Sequence, residues 1–200
     1  MSTASPRILA LATAVPPYAL GQPEVAVRAR HLFAGAAAAL ELDRMMPIFA
    51  NAGIERRYSC VPIDWYDRPH GWVERNTLYL DNAVDLLERA ARQALARAGL
   101  APRDIDATVV VSTTGIATPS LDAMLMGPLG LRPDVRRLPI FRLGCAGGVL
   151  GLSRAASLAR ERPASRVLFL VVELCALCFR KDDTSKSNLV ATALFGDGAA

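Results

Sequence analysis

Phe141-Arg142-Leu143-Gly144-Cys145-Ala146-Gly147-Gly148-Val149 sets a cysteine between two different local patterns. Upstream, residues 136–142 read as a strand. Downstream, residues 146–161 read as a helix that stops before Pro163. No charged side chain occurs from Leu143 to Ser153, so the start of that helix is expected to lie buried at the centre of the fold. In open α/β sheets, ligands gather at the carboxyl ends of strands. A thiol at such a junction meets the positive end of the helix, which favours an anionic sulfur. The flanking glycines leave room for a substrate carbonyl to approach. The same position also suits a structural cysteine packed like alanine, and spacing alone leaves both readings open.

Working outward, the pattern repeats. Residues 107–112 read as a short apolar strand, and a helix over 120–129 follows Pro119. Residues 167–172 form a continuous apolar run, as expected for a strand covered on both faces. A last helix over 186–194 ends before Gly196. Towards the amino terminus, residues 73–98 read as a long helix with an apolar stripe of Leu80, Val84, Leu87, Ala91, Ala94 and Ala98. Asp85 with Arg89 and Glu88 with Arg92 make i,i+4 pairs on its wet side. Residues 59–72 read as loop, 22–33 and 38–51 as helices, and 8–15 as a first buried strand. That last run follows Arg7 and could also mimic the apolar core of a signal peptide. Strands alternating with helices predict an α/β fold with a mostly parallel sheet between helix layers.

Composition narrows the function. The chain of 200 residues is 52% hydrophobic and 21% charged, which fits an ordered globular domain. Its 23 basic and 19 acidic residues give a scattered net charge of +4. No basic run is interleaved with aromatics, so nucleic acid is not an expected partner. No apolar run reaches the length of a membrane span. Four cysteines, at 60, 145, 175 and 178, are too few for a disulfide scaffold. A reducing compartment, the cytoplasm, is expected.

Three motifs carry a family resemblance. Leu143-Gly144-Cys145-Ala146-Gly147-Gly148, Ser112-Thr113-Thr114-Gly115-Ile116-Ala117-Thr118-Pro119 and Phe195-Gly196-Asp197-Gly198 stand in order and at suitable spacing. Together they resemble the type III polyketide synthases, the chalcone and stilbene synthase-like family, over nearly the whole chain. The resemblance implies a thiolase-like fold, with residues 1–200 as the amino-terminal αβαβα half and a homodimer in the full-length form. It implies that Cys145 takes an acyl group from an acyl-CoA starter and that malonyl-CoA extends it by decarboxylative Claisen condensation. No metal and no redox cofactor are implied, because CoA thioesters are substrates and decarboxylation supplies the carbanion. It further implies that Phe195 is a gatekeeper, that Thr113 and Cys178 line the cavity, and that Glu173 is a buried, hydrogen-bonded acid near it. Thr118 matches a residue that reaches the partner subunit's cavity, often across a cis peptide to the following proline. Arg44 matches one basic CoA contact, while Pro47 and Asn51 replace others, so CoA contacts are expected to shift to Arg56 or Arg57.

The family triad is Cys-His-Asn, and its His and Asn match no position here. His31 and His70 fit surface or packing roles. The family runs to roughly twice this length and continues beyond Gly198-Ala199-Ala200, so the carboxy-terminal half is expected to be absent and these residues alone to be inactive. The loop at 61–72 and Glu173-Leu174-Cys175-Ala176-Leu177-Cys178-Phe179 look most like bacterial alkylresorcinol and alkylpyrone synthases, which use fatty acyl-CoA starters. Three rival readings remain. They are a β-ketoacyl carrier-protein synthase III-like condensing enzyme, a thiol-redox or metal module built on Cys175 and Cys178, and a non-catalytic partner of a separate second half.

Overall fold

The computed structural model describes residues 5–33, 43–162 and 164–200. The chain falls into two compact units. One holds the residues up to Ala14, Tyr79–Glu173 and Gly198–Ala200; the other holds Val15–Leu78 and Leu174–Asp197.

The first unit is built on a sheet of β3 (Ala107–Ser112), β4 (Arg136–Phe141), β5 (Val167–Leu174) and β6 (Asp197–Ala199), in the order β4-β3-β5-β6. β3 pairs in parallel with both β4 and β5, with Val109 opposite Leu138 and Phe169. Every residue of β3 is buried, which is why Val109 to Val111 run on without a polar residue between the buried hydroxyls of Thr108 and Ser112. β4 alternates half-buried and exposed residues and carries Pro139. Both features suit an edge strand, where a missing N–H costs no ladder bond. At β6, Val171 and Ala200 exchange N–H···O bonds of 2.8 and 2.9 Å, the reciprocal pattern of antiparallel strands. The sheet is therefore mostly parallel with one antiparallel edge.

Helices cover both faces, since successive strand residues point to opposite sides. On one side, α5 (Gly147–Glu161) lays Ala155 and Leu158 against Val109, Val111, Phe169 and Val171. On the other lie α4 (Leu121–Leu129) and the Tyr79 end of α3 (Trp72–Ala98). The buried stripe of α3 is Tyr79, Ala83, Leu86, Leu87, Ala90, Ala91 and Leu95. Only Leu87 and Ala91 of the expected stripe are among them. The helix is rotated so that the Tyr79 hydroxyl donates to Ser112 Oγ at 2.7 Å. The expected pairs Asp85–Arg89 and Glu88–Arg92 form at 3.1 and 2.7 Å.

α5 comes close to the sheet because of its glycines. A Cβ on Gly151 would sit 2.6 Å from Phe169 Cε2 and 2.7 Å from Val111 Cγ2, whereas one on Gly148 would meet nothing within 4 Å. Alanine is the better helix former by roughly 1 kcal/mol. Even so, Gly151→Ala is expected to lower stability by about 1–3 kcal/mol through overpacking. Gly148→Ala is expected to hold or raise it. Paired thermal melts check the contrast, and equal Tm values for the two variants would contradict it.

The second unit pairs β1 (Tyr18–Gly21) with β2 (Arg56–Ser59) antiparallel, Tyr18 opposite Ser59. α1 (Gln22–Leu32), α2 (Pro47–Asn51) and α6 (Lys186–Leu194) close over a core of Leu20, Val25, Ala29, Phe33, Phe49, Leu189 and Ala193.

Several expectations need correction. Residues 8–13 form no strand; only Ala14 bridges, to Ala199, and Ile8, Leu9 and Leu11 are exposed. An apolar run becomes a strand only where a neighbouring strand takes its backbone bonds; here Ala14 bridges Ala199, while the Leu11 carbonyl accepts from the Arg97 guanidinium instead. The expected helix over 38–51 is seen at residues 43–45 and at Pro47–Asn51, broken by a turn at Met46, with residues 38–42 outside the described residues. The loop at 59–72 contains a 3-10 turn, Ile63–Asp67. The uncharged start of α5 is not buried: Val149, Leu150 and Leu152 are exposed, Val149 to 75%. Among the described residues, no helix is long and apolar enough to cross a membrane.

Candidate active site

Cys145 sits at the junction that the sequence implied. β4 ends at Phe141, a 3-10 turn spans Gly144–Ala146, and α5 begins at Gly147. The reversal between strand and turn uses left-handed backbone at Arg142 (φ 63°) and Gly144 (φ 54°). Glycine adopts this without penalty, but for arginine it costs roughly 1–2 kcal/mol. The turn leaves the Cys145 thiol exposed.

A chain of hydrogen bonds from β5 fixes the turn. Glu173 Oε2 accepts the backbone N–H groups of Thr113 and Thr114, both at 3.1 Å. Those two bonds hold the segment after β3, and Thr113 Oγ1 then accepts the N–H of Gly144 at 3.1 Å. Glu173, Thr113 and the residue before Cys145 are thus joined within one unit. Glu173 is half-buried rather than buried, and the expected partners of its carboxylate are backbone amides. Tyr79 lies beneath the same segment, where a Cβ on Gly115 would sit 2.2 Å from its ring. With Val110, Ser112 and Phe141, these residues line a hollow of about 200 Å³. Farther along the segment, the Thr118–Pro119 bond is cis and Thr118 is exposed.

Thr113→Ala removes the acceptor for Gly144 N–H. It is expected to cost about 1 kcal/mol and to speed hydrogen exchange at the Gly144 amide. Thr113→Ser is expected to leave both unchanged. Equal exchange in the two variants would show that the bond does not hold the turn.

Phe195, Cys178 and Arg44 belong to the other unit. Phe195 caps the carboxyl end of α6 and is exposed; Cys178 closes a 3-10 turn after β5 and is exposed; Arg44 is exposed. Arg57, suggested for CoA, is unsuited to it. Its guanidinium is buried and donates to Gln22 Oε1 and to the carbonyls of Thr192, Ala193 and Phe195. It thereby satisfies carbonyls at the end of α6, and burial pushes its pKa down. Arg56 is exposed beside the Tyr58 ring.

Two groups escaped the sequence reading. One is Arg57 with Gln22, whose Nε2 donates to Phe49 and Ala193 carbonyls at 3.1 and 3.0 Å. The other is Asp197, buried, whose two oxygens accept the N–H groups of Ala176 and Cys60, each at 2.8 Å. An acid inside a glycine-bracketed apolar stretch was the available signal. His70 is committed elsewhere: it stacks on Trp65 at 3.6 Å and bonds Glu74 Oε1 and the Trp65 carbonyl at 2.7 and 2.6 Å. Among the described residues, no three His, Cys, Asp or Glu side chains are grouped as metal ligands.

Comparison with known proteins bears on this arrangement. Residues 69–200 match the family described as chalcone and stilbene synthases, N-terminal domain. A putative chalcone synthase of Bacillus subtilis is 37% identical over 198 residues, covering 96% of this chain and 54% of that protein. A 1,3,6,8-tetrahydroxynaphthalene synthase of Streptomyces peucetius is 39% identical over 193 residues, covering 96% and 50%. The crystal structure of 1,3,6,8-tetrahydroxynaphthalene synthase from Streptomyces coelicolor, a bacterial type III polyketide synthase, superposes with a TM-score of 0.88 at 30% identity. That match covers 95% of this chain and 55% of the other. The chain spans about half the length of the curated relatives it matches.

Proposed function

Because the chain belongs to the chalcone and stilbene synthase family, we propose that it forms part of a type III polyketide synthase in which Cys145 carries the growing acyl chain. The observation that carries this reading is the exposed thiol of Cys145 at a strand-to-helix junction, braced through Thr113 and Glu173. Its thiolate attacks the carbonyl of an acyl-CoA, and CoA leaves as the thiol. Malonyl-CoA loses CO2, and the resulting enolate carbon attacks the Cys145 thioester. This forms a β-ketoacyl-CoA and returns the cysteine for reloading. Decarboxylation supplies the carbanion, so the reading invokes no metal and no redox cofactor. We place the base and the oxyanion donors outside residues 1–200, because both ring nitrogens of His70 are engaged and His31 lies at the exposed end of α1. The protein is proposed to work as a cytoplasmic homodimer, with Phe195, Thr118, Cys178 and Arg44 serving the acyl-CoA and malonyl-CoA substrates.

For the starter we propose a fatty acyl-CoA, giving alkylresorcinol or alkylpyrone products. The support is the likeness of residues 61–72 and 173–179 to that subgroup. A second reading is favoured by the relatives named for 1,3,6,8-tetrahydroxynaphthalene, a product without an alkyl chain. Supplying the full-length protein with malonyl-CoA and acyl-CoA starters of graded length separates the two. Products that incorporate the longer acyl chains are expected. A single alkyl-free product from malonyl-CoA, indifferent to added starter, would overturn the fatty starter.

A further inference from the structure

We propose that His70 is held as a doubly protonated imidazolium, and that this charged clasp, acting through Arg75, positions the backbone at 177–179 that presents Cys178 to substrate. The positioning part rests on the synthase reading above; the protonation part does not. All of these residues lie in one unit, that of Val15–Leu78 and Leu174–Asp197.

The protonation state follows from the partners. The His70 side chain is 1% exposed. Its Nδ1 lies 2.7 Å from Glu74 Oε1, and its Nε2 lies 2.6 Å from the Trp65 carbonyl oxygen. A carbonyl oxygen accepts and never donates, and so does an ionised carboxylate. Glu74 is ionised: the bond to His70 holds its carboxyl below the usual carboxylate range, with Trp65 and Arg68 adding to that against some desolvation. A neutral imidazole has one N–H, so it would turn a lone pair on one of these two oxygens. The imidazolium donates to both. The Trp65 ring, stacked on His70 at 3.6 Å and 7° from parallel, offers a face that attracts a cation.

The clasp reaches the substrate wall in two steps. It ties the 3-10 turn at Ile63–Asp67 to the first turn of α3, which fixes the His70 backbone. The His70 carbonyl then accepts Arg75 Nε at 3.0 Å, and the guanidinium lies over Trp65 at 5.0 Å. Arg75 Nη1 donates to the carbonyls of Leu177 and Phe179 at 2.6 and 2.8 Å, on either side of Cys178. Burial pushes the Arg75 pKa down and Arg180 adds to that, while Tyr66, Cys178 and Asp182 act the other way. A desolvated guanidinium depends on its acceptors, so loss of the His70 carbonyl loosens its hold on 177–179. Of the other groups around the clasp, Arg68 stands beside Glu74. The Tyr66 hydroxyl bonds Ser59 Oγ at 3.2 Å and stays neutral because burial pushes its pKa up. Asp64 and Asp67 are paired with Arg28. Raising the pH removes one ring proton and breaks one arm of the clasp. Lowering it protonates Glu74 and breaks the other, at a pH below the usual carboxylate range because that carboxyl is depressed. The hold is present between those limits.

The test uses the full-length protein with nitrogen-15-labelled histidine. Ring-nitrogen NMR at neutral pH is expected to show a proton on both nitrogens of His70, identified by the signals that His70→Gln removes. Glu74→Gln keeps the shape and removes the charge, so it is expected to move loss of the second proton to lower pH; it leaves the buried ring in place. Kinetics then read the positioning. His70→Gln and Arg75→Lys are each expected to raise KM for the acyl-CoA that loads Cys145 about tenfold while kcat stays within about twofold. In the unaltered protein KM is expected to rise with pH in step with the His70 titration, and in His70→Gln to be flat over that range, a difference that a purely structural role would not produce. An unprotonated ring nitrogen on His70 at neutral pH would overturn the proposal, and so would a KM in His70→Gln that follows pH as the unaltered protein does. Absence of any polyketide product would instead strike the synthase reading, while the NMR still decides the state of His70.

Discussion

Cys145→Ala in the full-length protein is expected to eliminate polyketide formation, with a loss on the order of 10⁴- to 10⁶-fold, the scale on which covalent catalysis depends on its nucleophile. The reasoning is chemical. Without the sulfur there is no thioester, and the malonyl-derived enolate has no acyl group to attack. The substitution removes one exposed atom from the turn before α5, so the fold is expected to keep its Tm. A product assay beside a thermal melt separates the two effects. Unchanged Tm with vanished product supports the assignment. Retained product would show that another group carries the acyl chain.

Asp197→Ala is expected to have the largest effect on stability, a loss of roughly 3–5 kcal/mol, because two charge-assisted hydrogen bonds disappear together. The carboxylate is 6% exposed, and its two oxygens hold the amides of Cys60 and Ala176 at 2.8 Å each. Burial pushes its pKa up, while the two N–H groups pull it back. Alanine leaves the buried Cys60 amide and the half-buried Ala176 amide with no acceptor in place of the acid. Asn keeps the shape and one carbonyl oxygen but turns an NH2 towards the other amide, so its loss is expected to be about half as large. Denaturant unfolding of the three proteins checks the order Asp, Asn, Ala. Equal loss in both variants would mean that shape is unimportant and charge alone matters.

The sheet was legible because its central strand is buried on both faces and written without interruption from Val109 to Val111, and because glycine and proline punctuate the chain around it. The face of α3 was harder to read. Tyr79 turns inward to reach Ser112, and a hydrogen bond of that kind leaves no periodic trace. β1 and β2 were missed for a similar reason. Each has four residues, and Arg56-Arg57-Tyr58-Ser59 looks like a wet segment until Arg57 is found donating to carbonyls at the end of α6. At the site, the place of Cys145 between strand and helix could be read from its glycines. The bracing could not, since Glu173 and Thr113 lie sixty residues apart in the chain. Only the parallel pairing of β3 with β5 brings their ends together.

The most direct test of Cys145 as the acyl carrier is the mass of the full-length protein after brief exposure to an acyl-CoA without malonyl-CoA. One acyl group is expected, mapped by fragmentation to Cys145 and absent from Cys145→Ala. An acyl group on a different residue, or none while product still forms, would contradict it.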